Sequence, residues 1–200
     1  MGKTLLSLLS AAMIIMTSGC CNTNSQNNTQ MNADFLELAA GRYSVRHFSD
    51  KPVEQDVIDK ILEAGKLAPT AVNSQPQMIY LLQSEEAMEI ANRLSPCIYG
   101  APQAFLMCYD DNRVCKRDDG NYGDIDCSIV LTHMMLEAYN LGVGTCLVGR
   151  FNPEEAVSEL GLPENIHPIL LMPFGYAADD AVPSPRHSEY RAMEGMFEVR

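Results

Sequence analysis

The sequence predicts an α+β or α/β domain, a small sheet covered by helices, running from Asp34 to Arg200. Segments with helical periodicity alternate with short, continuous apolar runs, the pattern of strands packed under helices. Three such runs stand out, at 78–83, 104–109 and 169–172, each bounded by turn or cap residues. No internal repeat and no second shift of composition interrupts the stretch, so one domain accounts for it.

The chain before that domain has a different character. Lys3 is followed by a dozen mostly apolar residues, 5–16, and then by Thr17-Ser18-Gly19-Cys20, small residues ahead of a cysteine. Residues 1–19 therefore resemble a bacterial lipoprotein signal peptide, with Thr17 standing where leucine is usual. The apolar run falls short of the ~20 residues that a spanning helix needs. The resemblance implies lipidation at Cys20 and a membrane-anchored place in the cell envelope, on its periplasmic or extracytoplasmic face. Residues 20–33 carry no charge and almost no large apolar side chain, too little to offset the entropy of ordering, and read as a polar tether.

Within the domain the elements follow in order. Asn32 can cap a short helix that stops at Gly41. Residues 54–68 place Val57, Ile58, Ile61, Leu62 and Ala68 on one face at 3.6-residue spacing, and Pro69 ends that helix. After the strand at 78–83, Ser84-Glu85-Glu86 opens a helix reaching about Leu94, its acids at the positive end of the dipole. The strand at 104–109 is followed by a polar loop, DDNRVCKRDDGNY, and a long helix from Asp124 to Asn140 closed by Gly142. Asn152-Pro153-Glu154-Glu155 caps one more short helix, and the last strand runs into Pro173-Phe174-Gly175.

Charge and cysteine content narrow the function classes. Fourteen Lys and Arg against 26 Asp and Glu give a net charge of −12, which opposes binding to a phosphate backbone and excludes nucleic acid as partner. Beyond Cys20 and Cys21, the cysteines are Cys97, Cys108, Cys115, Cys127 and Cys146. None forms a CxxC pair and no spacing fits a metal site, so they read as small buried hydrophobes with an exposed Cys115.

Three clusters carry chemistry. In Arg42-Tyr43-Ser44-Val45-Arg46-His47-Phe48, an extended backbone would project Arg42, Ser44 and Arg46 to one side. Two guanidinium forks and a hydroxyl aimed at one point suit a phosphate, against the alternative of ordinary surface ion pairs. In Ala68-Pro69-Thr70-Ala71-Val72-Asn73-Ser74-Gln75-Pro76, two prolines pin a loop whose amides at Asn73 and Gln75 offer donors and acceptors to a flat heterocycle, or form a structural turn. In 141–149 the glycines follow a helix instead of opening one, so this is no dinucleotide fingerprint. They allow close backbone approach, for packing or to a ligand ring.

In this order the clusters resemble the nitroreductase family of FMN-dependent oxidoreductases, in its short-chain branch. The matching features are R-x-S-x-R-x-F at 42–48, A-P-T-x-x-N-x-Q-P at 68–76, the helix and glycine unit at 124–149, and Leu171-Met172-Pro173-Phe174-Gly175-Tyr176. The resemblance implies an α+β fold with a central, mostly antiparallel sheet flanked by helices, in an intertwined homodimer with FMN shared between the two chains. It implies that Arg42, Ser44 and Arg46 hold the FMN phosphate, with Tyr43 in the same segment, and that Asn73 meets the edge of the ring, with Gln75 beside it. Leu147, Val148 and Gly149 would lie against the ring. A basic residue near the C-terminus would reach the phosphate, Arg191 first and Arg186 in reserve.

The implied activity is ping-pong transfer of two electrons from NAD(P)H or another reductant to a nitroaromatic, quinone or similar small acceptor. No nucleophile or catalytic triad is called for, because the flavin carries the chemistry. Export sets a tension with that reading, since NAD(P)H is a cytoplasmic donor. An exported flavin-binding electron relay without a substrate of its own is the alternative.

Overall fold

The fold is built on four strands in the order β1 (Gln77–Leu82), β2 (Gln103–Asp110), β6 (Ile166–Gly175) and β5 (Gly144–Thr145), which places the two longest in the middle. The structure is a computed structural model, and it describes residues 35–200. The expected signal peptide, Cys20, the tether and the Asn32 cap all lie outside the described residues.

The chain begins with α1 (Phe35–Gly41) and α2 (Gln55–Lys66), then β1 (Gln77–Leu82), α3 (Glu85–Leu94) and β2 (Gln103–Asp110). A short hairpin, β3 (Lys116–Arg117) with β4 (Gly120–Asn121), precedes the long α4 (Gly123–Asn140). The chain continues through β5 (Gly144–Thr145), α5 (Pro153–Leu160) and β6 (Ile166–Gly175). Every pairing in the main sheet is antiparallel. Among the described residues no helix is long and apolar enough to cross a membrane.

Strand β2 is apolar on both faces because both faces are covered. Its alternate residues Ala104, Leu106 and Cys108 join one core with Leu171, Met88 and Ala91, under α3. Phe105 and Met107 join the other with Met172, Phe174, Ile58, Ile61 and Met134, under α2 and α4. Phe105 and Phe174 stack across the β2/β6 pair at 4.4 Å and 11°. Burying a side chain of this size stabilises by about 1.5 to 3 kcal/mol, so this double core holds the sheet.

Several ends follow from single residues. Ser84 accepts from Ala87 N at 3.2 Å and Asn152 from Glu154 N at 2.9 Å, as caps should. Helix α4 closes through Gly142, at φ 78°, with Gly142 N donating to Tyr139 O and Val143 N to Ala138 O. At the end of α1, glycine is required at 41 by packing, because a Cβ there would run into the Tyr139 hydroxyl of α4.

Three expectations need adjustment. The polar loop contains the β3/β4 hairpin, tied by Tyr122 N to Cys115 O at 3.0 Å. The last strand is longer than 169–172 and passes through Pro168 and Pro173. At Pro173 the carbonyl faces Cys146 N, so its missing N–H would face that side too and no bond to β2 is lost. Cys115 is not alone in being reachable: Cys97 is also part-exposed, whereas Cys108, Cys127 and Cys146 are buried.

Candidate functional site

The segment 42–48 is fastened at both ends to the rim of the sheet. Val45 N donates to Thr145 O at 2.9 Å beside a parallel bridge from Ser44 to Thr145. Further along, Ser49 N donates to Tyr176 O at 2.9 Å and Ala178 N to His47 O at 3.1 Å. Val45 is buried beneath it, which leaves Arg42, Ser44 and Arg46 on the other side at a spacing of two. The glycine unit makes this possible. A Cβ on Gly144 would lie 2.5 Å from Val45 Cγ2, so that glycine serves packing against the arginine segment.

Arg42, Tyr43, Ser44 and Arg46 line one cavity of about 350 Å³ together with Ser184, Arg186, His187, Glu189 and Tyr190. Arg186 arrives on a 3-10 turn capped by Ser184 Oγ, which accepts from Arg186 N at 3.3 Å, and His187 Nε2 sits 3.1 Å from Ala40 O at the end of α1. Arg46 rests over the Tyr99 ring at 6.0 Å and donates to Ser44 O at 3.3 Å. Among the described residues no ion pair involves Arg42, Arg46 or Arg186, although the chain has an excess of carboxylates. The surface ion-pair alternative therefore falls away. Three guanidiniums without a carboxylate partner among the described residues, with a serine hydroxyl, form a cationic basket for an oxyanion.

The second cluster stands apart from this cavity, which Asn73 and Gln75 do not line. Its backbone is unusual: Val72, Asn73 and Gln75 have φ of 48°, 56° and 48°. Left-handed backbone at a β-branched residue costs of the order of 1 to 3 kcal/mol, and such conformations concentrate at functional loops. Internal bonds support the turn, with Gln75 N donating to Thr70 Oγ1 at 3.0 Å and Gln75 Nε2 to Asn73 Oδ1 at 3.2 Å. From outside, Ala71 N donates to Asp126 Oδ1 at 2.8 Å and Arg113 Nε to Gln75 O at 3.2 Å. The Asn73 and Gln75 side chains are exposed.

In the third cluster, Val148 is buried and bridges to Leu171, its N–H donating at 2.8 Å and its carbonyl accepting at 2.9 Å. That backbone is committed to the sheet. Leu147 and Gly149 on either side are the exposed parts of the segment. Arg191, the first choice for a C-terminal phosphate contact, donates to Gly195 O within the tail and does not line the cavity; Arg186 does.

Electrostatics beside the basket involve residues that sequence reasoning passed over. Burial pushes the Cys146 thiol up, against the pull of the Arg46 guanidinium, and a hydrogen bond with Cys97 holds the Tyr99 hydroxyl above its usual range. Tyr99 and His187 contribute without a sequence motif, whereas Arg186 is the reserve candidate named from the sequence. The histidines have structural partners: His47 meets Asp180 at 2.7 Å, His133 Nδ1 sits 2.9 Å from Ile129 O, and His167 stacks on Tyr109 at 4.8 Å.

Comparison with known proteins places this geometry. The family model described as Nitroreductase family matches residues 39–104 and 90–176. The chain is 30% identical over 154 residues to a putative NADH dehydrogenase/NAD(P)H nitroreductase of Methanothermobacter thermautotrophicus, covering 74% of this chain and 79% of that protein. It is 31% identical over 163 residues to an FMN reductase [NAD(P)H] of Bacillus subtilis, covering 72% of this chain and 66% of that one. A crystal structure of a nitroreductase family protein from Clostridium difficile 630 superposes with a TM-score of 0.77 at 36% identity, over 82% of this chain and 97% of the other.

Proposed function

Because the chain belongs to the nitroreductase family, we propose that it is an FMN-dependent oxidoreductase moving two electrons from NAD(P)H or another reductant to a small acceptor such as a nitroaromatic or quinone, in ping-pong order. The observation that carries this reading is the basket of Arg42, Arg46 and Arg186 with Ser44, free of ion pairs among the described residues. The donor set fits a phosphate monoester, since guanidiniums bind its oxygens bidentately and stay charged. FMN, when bound, supplies the electron-transfer chemistry itself. The chain's residues bind and orient. The four basket residues hold the phosphate, Asn73 and Gln75 offer amide donors and acceptors to the ring edge, and the exposed Leu147 offers an apolar contact.

The separation of basket and amide loop supports a homodimer in which each site draws on both chains. Exposed apolar side chains point the same way: Phe35, Leu67, Met193, Met196, Phe197 and Val199 are all more than half exposed in the single chain. Exposed apolar side chains in such number favour a protein interface.

Cys20 as a lipid attachment site, with residues 20–33 as tether, belongs to the same proposal, and it supports the second reading, a membrane-anchored electron relay. Sensitivity of processing to globomycin, with the domain open to external protease, is the expected result. Retention of the full-length chain in the cytoplasm would remove the anchor from the account.

The deciding experiment is identification of the flavin in the purified protein followed by anaerobic stopped-flow mixing with NADH and NADPH. Bleaching of the flavin by a pyridine nucleotide, and reoxidation by a quinone or nitroaromatic, are expected for the enzyme. A flavin inert to both nucleotides but reduced by a quinol would favour the relay. Absence of any flavin after reconstitution would end both readings.

A further inference from the structure

Three buried side-chain oxygens have no hydrogen-bond partner among the described residues: Ser74 Oγ, Gln77 Oε1 and Asp126 Oδ2. Ser74 lies in the amide loop, Gln77 opens β1 directly after it, and Asp126 is the residue that holds the loop. Asp126 is 2% exposed, in the first turn of α4, and has no cation beside it among the ion pairs of the described residues. A carboxylate in that position is costly unless it has a task. Two things offset the cost, the positive end of the α4 dipole and the hydrogen bond from Ala71 N at 2.8 Å.

That hydrogen bond is placed at the entry to the left-handed stretch. Ala71 immediately precedes Val72 and Asn73, both at positive φ, and Gln75 follows with the third. Among the described residues, the other side chain that holds the loop from outside by a hydrogen bond is Arg113, which grips its exit at Gln75 O. The core behind the site is tied to the same helix, since Cys127 Sγ meets Cys108 O at 3.3 Å and Cys108 pairs with Met78 in β1. The first turns of α4 therefore reference the loop to the sheet.

We propose that Asp126 is a positioning residue for the flavin ring: through Oδ1 and the Ala71 N–H it holds the loop 70–75 in the conformation that presents the Asn73 and Gln75 amides. The inference rests on the flavin reading above. Asp126 touches no reacting atom; it acts through the loop.

The test compares Asp126→Asn, which keeps an Oδ1 acceptor for Ala71 N–H and loses the charge, with Asp126→Ala, which loses both. Hydrogen exchange over 70–76 is read in the flavin-free protein; the visible band and midpoint potential are read in the flavin-loaded protein. Asp126→Ala is expected to speed loop exchange at least tenfold with the sheet unchanged, and to shift band and potential while FMN stays bound through the basket. Asp126→Asn should restore both. Should Asp126→Ala fail to fold, Asp126→Ser, whose shorter side chain leaves a smaller void and a longer reach to Ala71, is read in its place. Unchanged exchange, band and potential in the truncated variant, or an Asn variant as altered as the truncated one, would overturn the assignment. Failure of the wild-type protein to take up FMN would count against the flavin reading alone, and loop exchange would still decide whether Asp126 holds the loop.

Discussion

Arg42 and Arg46 are the residues on which the cofactor reading stands, so they bear its most direct test. Each charge-assisted contact to a phosphate contributes about 1.5 to 3 kcal/mol, and replacing both arginines by alanine is expected to weaken FMN binding by roughly 10²-fold or more. Fluorescence titration of apoprotein measures this, and undiminished affinity would put the phosphate elsewhere. The third arginine shows where a sequence stops short, since it could rank Arg186 only behind Arg191. Period two at 42, 44 and 46 was readable because the apolar Val45 between them belongs to the core. Arg186 reaches the same cavity through a chain reversal some 140 residues on, a tertiary fact with no local pattern. A second residue-level expectation concerns acid stability. Hydrogen bonds from Lys51 and then Tyr176 lower the Glu54 carboxyl from 4.5 to about 2. A depressed carboxyl stabilises the fold at pH above its unfolded value and loses that contribution as pH falls through the folded one. Glu54→Gln should therefore flatten the stability curve between about pH 4.5 and pH 2 and leave its shape at neutral pH alone; an unchanged acid limb in urea titrations would refute it.

At the scale of elements, the site depends on how closely the arginine segment lies on β5. Gly144→Ala would insert a Cβ 2.5 Å from Val45 Cγ2 and 3.3 Å from Gly175 O, with side chain on one side and strand backbone on the other. Overpacking of this kind costs about 1 to 3 kcal/mol. The expected result is a lowered melting temperature together with reduced FMN affinity, because the displaced strand carries Ser44 and Arg46; loss of stability with normal affinity would separate the two. Helix α2 and the β2 run were legible because their burial patterns repeat along the chain, 3.6-fold in one and on both faces in the other. The β3/β4 hairpin was not, since its residues are polar throughout and its pairing rests on backbone bonds. The amide loop was legible as a loop but not as a strained one: nothing in Ala71-Val72-Asn73 announces a β-branched residue at φ 48°. The side chains that bond it from outside, Asp126 and Arg113, lie far along the chain.

For the whole molecule, the question is why a chain with a well-filled double core leaves so much apolar surface outside it. The C-terminal tail exposes Met193, Met196 and Phe197 at 61% each and Val199 at 85%, and α1 with the end of α2 exposes Phe35 and Leu67. A groove lined by Phe35, Leu38, Ala64, Leu67 and Leu136 opens on the same helical face. Leaving these side chains in water forfeits roughly 25 cal/mol for each Å² that could be covered. A symmetric partner would cover such surfaces in equivalent pairs. If each flavin also spans both chains, occupancy must follow association. Wild-type protein is then expected to run at twice its monomer mass and to lose flavin on dilution in step with dissociation. The paired substitution Met196→Glu with Phe197→Glu leaves every basket residue in place, yet should shift the protein toward monomer and lower its flavin content together. Light scattering coupled to absorbance at the flavin band reads both quantities in one run. A monomeric variant that keeps full flavin would show that one chain suffices for the site, and the separate placement of the arginine basket and the amide loop would then need another explanation.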